Sequence, residues 1–285
     1  MTDAALWQRT WPAPAKINLF LHVVGRRDDG YHLLQTVFRF IDCCDQLRFS
    51  PRDDDQVVLV NPLPGVPADS DLTVRAARAL QAAVPAARNK GVSIALEKHL
   101  PMGGGLGGGS SDAATVLLAL NTLWQCGLTH SELETIGLGL GADVPVFIHG
   151  QSTFAEGVGE RFTDVAVPDA WYLVLVPPVA VPTPEIFRAP DLRRNTTTIT
   201  PTAWRHGQGG NDLEAVACRL YPEVARHLTW LRSLPETSLT AMSGSGACCF
   251  AEFATEAAAR AAHGVLPPDM KGFVARGLHQ HPILC

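Results

Sequence analysis

Long hydrophobic runs are missing from this chain. The longest apolar stretch, Trp171 to Val181, is broken by prolines and is too short to span a bilayer, which argues against a transmembrane helix. The opening MTDAALWQRTW has neither a basic region nor an apolar core, so an exported protein is not expected. Clustered charge of one sign is missing as well. With 23 Lys plus Arg against 28 Asp plus Glu, a net charge of -5 and no like-charge block beyond Asp53 to Asp55, the chain has no nucleic-acid footprint. Metal-site spacing is also absent. The seven cysteines (Cys43, Cys44, Cys126, Cys218, Cys248, Cys249, Cys285) are odd in number, none form C-x-x-C and none group with His as in zinc sites. They fit the reduced thiols of a cytoplasmic protein. At 285 residues, 46% hydrophobic and 18% charged, the composition is that of a globular protein of about two domains or one large one.

Glycine, by contrast, is concentrated in one place. Residues 100 to 121 read LPMGGGLGGGSSDAATVLLALN, with six glycines in seven positions (Gly103, Gly104, Gly105, Gly107, Gly108, Gly109). After Ser110, Ser111 and Asp112, apolar residues at Ala113, Val116, Leu117, Leu120 and Trp124 recur at helical spacing. A glycine collar whose amides are free to approach a ligand, opening into a helix N-terminus with its partial positive charge, is built for an anion, above all phosphate. A flexible linker would not be flanked by an alternating strand and an apolar helix. The dinucleotide pattern G-x-G-x-x-G is met by Gly103, Gly105 and Gly108, but clustered glycines match it easily by chance, and the P-loop pattern fails because Gly109 stands where that motif needs Lys.

Strands are expected at Ala15 to Val24, Leu33 to Ile41 and Gly91 to Lys98, with a hairpin turn PRDDDQ between Leu47 to Phe49 and Val57 to Val60. Ser70 is the natural cap of a helix running to Val84, and Thr129 with Glu132 forms a capping box for a short helix that ends before GADVPVFI. In that last segment Asp143 is expected on a turn between a helix and an apolar strand, and STFAEGVGERF reads as a hairpin. Further on come a strand at Trp171 to Val176, a proline-rich loop PPVAVPTPEIF, helices from Asn211 and through Leu231, the hairpin SLTAMSGSGACCFAEF, a helix Glu256 to Ala262 capped by Gly264, and a strand at Phe273 to Arg276. Strands interrupted by paired helices predict an α+β, two-layer sandwich without internal repeats.

Two charged residues stand in unusual surroundings. Lys16 lies within an otherwise burial-prone strand, where an ammonium must find an anion, although a lone edge lysine is commonly just solvated. For Asp143 taken alone, stabilising its own turn is the commoner role of such an aspartate. Only the glycine loop raises either of them to a catalytic candidate.

Three motifs carry a resemblance: PAKINL near the N-terminus, PMGGGLGGGSSDAA, and the turn Ser243-Gly-Ser-Gly-Ala247. On these the chain resembles the GHMP kinase superfamily, which includes galactokinase, homoserine kinase and the mevalonate kinases, and the similarity runs along almost the whole chain through LWQCGL, LGADVPVF, FAEGVGE and PTPEIF. The resemblance implies a two-domain fold, a ribosomal-protein-like N-terminal domain (residues 1–162) that binds ATP and a ferredoxin-like C-terminal domain (163–285), with the site in the cleft. It implies ATP-dependent phosphorylation of a small-molecule alcohol, with Mg²⁺ accompanying ATP and no protein ligand for the metal assignable. The branch it resembles most acts on the C2 hydroxyl of a cytidyl-diphosphate-linked sugar alcohol in isoprenoid precursor synthesis.

Carried over residue by residue, the resemblance makes Asp143 and Lys16 the catalytic pair. Lys98, Pro101, Met102, Gly103, Gly104, Gly105, Leu106, Gly107, Gly108, Gly109, Ser110 and Ser111 would form the ATP site, with Asp71 where the family commonly has an adenine-reading Asn. A carboxylate at that position can accept from the exocyclic amine but cannot donate to a ring nitrogen. Asn18, Tyr31, His32, Thr183, Phe187 and the turn Ser243, Gly244, Ser245 and Gly246 would face substrate, Tyr31 and Phe187 sandwiching cytosine. Sister kinases acting on homoserine or a mevalonate derivative, and a non-catalytic sugar or nucleotide sensor, are the alternatives. An aromatic sandwich has no use for a small aliphatic alcohol, and a sensor needs no base beside an acceptor hydroxyl. The expected partner is a small molecule, with no nucleic acid and no membrane, for a monomer or weak homodimer.

Overall fold

The computed structural model describes residues 3–284, which leaves Cys285 outside the described residues. After a short helix α1 (Asp3–Trp7), two long strands form the spine: β1 (Trp11–Arg26) and β2 (His32–Arg52), paired antiparallel. The two short strands expected at Leu33 to Ile41 and Leu47 to Phe49 are one continuous strand of 21 residues. Register shifts at Pro14/Ala15, Asn18/Phe20 and Val23/Gly25 bend β1, which lets the strand carry Pro12 and Pro14.

PRDDDQ does not close a hairpin. Strand β3 (Val57–Leu59) pairs in parallel with β4 (Gly91–Glu97), and β4 takes the place beside β2. The physical reason is burial: Val92, Ile94 and Leu96 on β4 are at most 2% exposed, while three-residue β3 has little apolar surface to offer a central position. Between them runs α2 (Leu72–Ala83), capped by Asp71 rather than Ser70, because the Asp71 carboxylate accepts from the Thr73 amide at 2.8 Å.

Helix α3 (Gly108–Leu123) begins inside the glycine run, with left-handed Gly107 (φ 74°) as its N-cap, and Ser111 to Leu120 are buried on all sides. Helix α4 (His130–Leu138) opens on the expected Thr129/Glu132 capping box. The segment after Asp143 is α5 (Val144–His149), a helix where a strand was expected. A six-residue apolar run is ambiguous in periodicity; Pro145 in its first turn and left-handed Gly150 after its last residue suit a helix, whose Val144, Val146, Phe147 and Ile148 are fully buried. The hairpin β5 (Thr153–Glu156) and β6 (Arg161–Asp164) follows as expected.

The second half contains β7 (Trp171–Leu175), α6 (Thr183–Arg188), α7 (Glu214–Leu220), α8 (Pro222–Arg232), β8 (Leu239–Met242), β9 (Cys249–Phe253), α9 (Glu256–Gly264) and β10 (Gly272–Leu278). Two details differ from expectation. TPEIF in the proline-rich loop is helical, and Gly264 is the last residue of α9 instead of its cap, a place taken by Val265. The strand order β3-β4-β2-β10-β7-β9-β8 joins both halves, because Gly277 and Leu278 of β10 pair with Ile41 and Phe40 of β2. Helices and sheet together give the α+β architecture, and one large cleft lies between the halves.

Candidate active site

The cleft encloses about 1120 Å³. Its middle is built on β1, where residues two apart share a face, so Lys16 and Asn18 project together. Both are 2% exposed. The Lys16 ammonium donates to Asn18 Oδ1 at 2.8 Å, pairs with Asp143 Oδ2 at 3.2 Å and lies 5.3 Å over the Phe38 ring. Asn18 in turn donates to Thr36 Oγ1 at 2.8 Å. Asp143 occupies the N-cap position of α5, yet its side chain caps no amide there. A turn-stabilising aspartate would use that bond; this carboxylate is instead 39% exposed, held by Lys16 and turned to the cleft.

The glycine loop forms the adjoining wall. Gly103, Gly105 and Gly107 have φ between 68° and 74°, a region costly for any other residue. The loop is tied to the turn between β8 and β9: the Ser243 hydroxyl donates to the Gly105 carbonyl at 2.8 Å and the Cys248 amide donates to the Gly104 carbonyl at 3.0 Å. Leu106, Ser111 and Ser243 are buried and do not line the cleft; Ser243 and Leu106 instead make hydrogen bonds that hold the loop. The Leu106 carbonyl, for example, accepts from the Lys16 amide at 2.9 Å. The remaining loop positions reach the cleft, as do Gly244, Ser245 and Gly246.

Lys98 borders the cleft but is not a free cation. Its ammonium bonds Asp45 Oδ2 and lies 2.8 Å from Asp112 Oδ2. Burial opposes its charge, yet the two carboxylates, Asp112 foremost, overcome that and hold its pKa above the ordinary range. Burial pushes the Asp112 carboxyl up to about 7, Lys98 notwithstanding, because the neighbouring Asp45 carboxylate works the same way as burial. Asp45 also accepts from the His99 and Leu100 amides at 2.6 and 2.8 Å, fixing the chain as it enters the loop.

At one end of the cleft Tyr31 is exposed, and the His32 and Phe187 rings lie 4.8 Å apart. Thr183 and Ser245 hydroxyls are 2.7 Å apart, linking α6 to the β8–β9 turn. Toward the other end is Asp71, one of whose oxygens is committed to capping α2. Among the described residues no group of three or more His, Cys, Asp or Glu is arranged to hold a metal. Asp112 Oδ1, just past the first turn of α3, is buried without a hydrogen-bond partner.

Comparison with known proteins places this geometry. Models of the GHMP kinases N terminal domain and the GHMP kinases C terminal match residues 71–151 and 203–267. The 4-diphosphocytidyl-2-C-methyl-D-erythritol kinase of Dechloromonas aromatica (strain RCB) is 62% identical over 96% of this chain and 98% of its own length, and that of Nitrosospira multiformis is 58% identical over 95% and 92%. The chain belongs to this family of GHMP kinases. A crystal structure of a 4-(cytidine 5'-diphospho)-2C-methyl-D-erythritol kinase at 35% identity superposes with a TM-score of 0.80, covering 94% of this chain and 99% of that one. The Methanococcus jannaschii mevalonate kinase, at 13% identity and a TM-score of 0.69, shares the fold.

In this kinase the sequence alone did not single out Asp45, Asn211 or Arg194. Asn211 donates to the Met242 and Gly244 carbonyls at 2.8 and 2.7 Å and so fixes the turn that braces the glycine loop. No local signal announces their long-range contacts: Asp45 meets Lys98 53 positions away, Arg194 meets His32 162 positions away and Asn211 meets Met242 31 positions away.

Proposed function

We propose that this kinase transfers the γ-phosphoryl group of ATP to the C2 hydroxyl of 4-diphosphocytidyl-2-C-methyl-D-erythritol, with Asp143 and Lys16 at the point of transfer. The observation that carries this reading is the 3.2 Å pair of buried Lys16 and cleft-facing Asp143, set between the glycine loop and the Tyr31, His32 and Phe187 end of one continuous cleft. Phosphoryl transfer depends on positioning and charge stabilisation, with one group to take the hydroxyl proton. Asp143 accepts the proton of the acceptor hydroxyl; Lys16, held by Asn18, fixes that carboxylate and offsets negative charge on the transferring group.

ATP lies with its phosphates on the amides of Gly103 to Ser110 at the start of α3 and its base toward Asp71. Mg²⁺, which would shield phosphate charge when bound, would be held mainly by the nucleotide and water. Of the protein oxygens, the partnerless Asp112 Oδ1 suits it, since this ion needs only one or two carboxylates. The cytosine stacks between Tyr31 and Phe187, with Thr183 and the Ser245 turn alongside the diphosphate-linked chain. The enzyme acts in the cytoplasm on small molecules, as a monomer or weak homodimer, with residues 1–162 and 163–285 as its two domains.

An ADP-release assay over a panel of acceptor alcohols tests the assignment. The cytidyl-diphosphate substrate should be turned over far faster than homoserine, mevalonate or methylerythritol phosphate, and comparable rates with any of these would overturn it.

A further inference from the structure

The base end of the cleft holds an arginine that no sequence motif pointed to. Arg194, in the segment after α6, donates from Nε to His32 Nε2 at 3.1 Å. Its other guanidinium nitrogens donate to the Leu192 carbonyl at 3.1 Å, the Phe187 carbonyl at 2.9 Å and the Ala189 carbonyl at 2.7 Å. One side chain therefore grips both the ring of His32 and the backbone that carries Phe187, whose rings lie 4.8 Å apart.

The chemistry of that contact fixes a proton. A guanidinium has donors and no acceptor, and it is not deprotonated in proteins, so His32 Nε2 must present a lone pair. The neutral ring then carries its hydrogen on Nδ1, which has no hydrogen-bond partner among the described residues and belongs to a side chain that lines the cleft. Burial, then the charges of Arg194 and Arg26, all lower the His32 pKa and so favour this neutral form. The charged groups lining this end are Arg26 of β1, Asp29 of the β1–β2 turn, Arg188 of α6 and Arg194 itself, three cations to one anion.

We propose that Arg194 is the positioning residue of the base clamp: it locks His32 as a neutral Nδ1–H donor for an acceptor atom of the substrate's base and holds Phe187 at stacking distance. The inference rests on the reading that this end of the cleft takes the cytidyl group. Arg194 itself need not touch the base; it acts through His32 and Phe187.

Two measurements test it. In the intact enzyme at neutral pH, nitrogen-15 NMR of the histidine side chains should show His32 with a protonated Nδ1 and an unprotonated Nε2, and the reverse pattern would overturn the proposal without any variant being made. Arg194→Met should turn that signal into a tautomer mixture. It should also raise KM for the cytidyl substrate by about tenfold, the loss of roughly one well-placed hydrogen bond, while kcat and KM for ATP stay within about twofold. In the His32→Ala background the same change should have a clearly smaller effect, since the two residues act as a unit. Unchanged KM in Arg194→Met, or full additivity with His32→Ala, would overturn the proposal. Phe187→Ala and His32→Ala separate it from the reading beneath it. If both raise KM and Arg194→Met does not, Arg194 alone is misassigned; if neither does, the base lies elsewhere and both fall.

Discussion

Gly105 is in direct contact with buried Ser243 behind the cleft wall: a Cβ built on Gly105 would lie 2.1 Å from the Ser243 carbonyl oxygen, closer than any side chain tolerates. The glycine is needed there to admit the β8–β9 turn as much as to expose amides to phosphate. Gly105→Ala should therefore lower the melting temperature by several degrees and weaken ATP and the acceptor together. Gly103 is the contrast, with φ 68° and nothing within 4 Å of its Cβ position. Gly103→Ala should cost about 1–2 kcal/mol of backbone strain and act chiefly on ATP. Melting curves and binding titrations of the two variants distinguish packing from phosphate approach.

Asp143→Asn should cut turnover by about 10² to 10⁴ while leaving substrate affinity nearly intact, because the amide fills the same space but cannot take a proton. Lys16→Met should also reduce turnover strongly. Steady-state kinetics decide both, and parental rates in Asp143→Asn would remove it from the proton transfer.

Phe187→Ala should raise KM for the cytidyl substrate by about one to two orders of magnitude, matching roughly 1 to 3 kcal/mol for one stacking face, with ATP affinity unchanged. The remote base supplies binding energy that positions the C2 hydroxyl. Methylerythritol phosphate should accordingly be a poor acceptor for the parent enzyme and should discriminate little between parent and variant.

The buried Asp112 carboxyl gives a pH signature. Its folded pKa is raised from 3.8 to about 7, so the folded protein binds this proton more tightly than the unfolded chain does. Stability from that proton is fully present below about pH 4 and is lost as pH rises through about 7. Asp112→Asn keeps the shape without the titration. The melting temperature of the variant minus that of the parent should thus increase from about pH 5 to about pH 8 and level off above, as differential scanning fluorimetry across that range would show.

By itself the sequence determined the elements whose signals are local. The glycine run opening into α3, the Thr129/Glu132 capping box, the alternation of Val92, Ile94 and Leu96 in β4 and the β5–β6 hairpin all follow from turn chemistry and periodicity within a few residues. Only the tertiary structure decided what depends on distant surfaces. Whether VPVFIH is strand or helix, and whether β3 or β4 sits beside β2, turned on how much apolar area each could bury. Lys16 and Asp143 lie 127 positions apart, and Lys98, expected beside ATP, is found between two carboxylates. Folding brought Asp143 to Lys16 and set Asp45 and Asp112 around Lys98, because an ammonium taken out of water must be met by carboxylates, and sequence spacing does not say which ones.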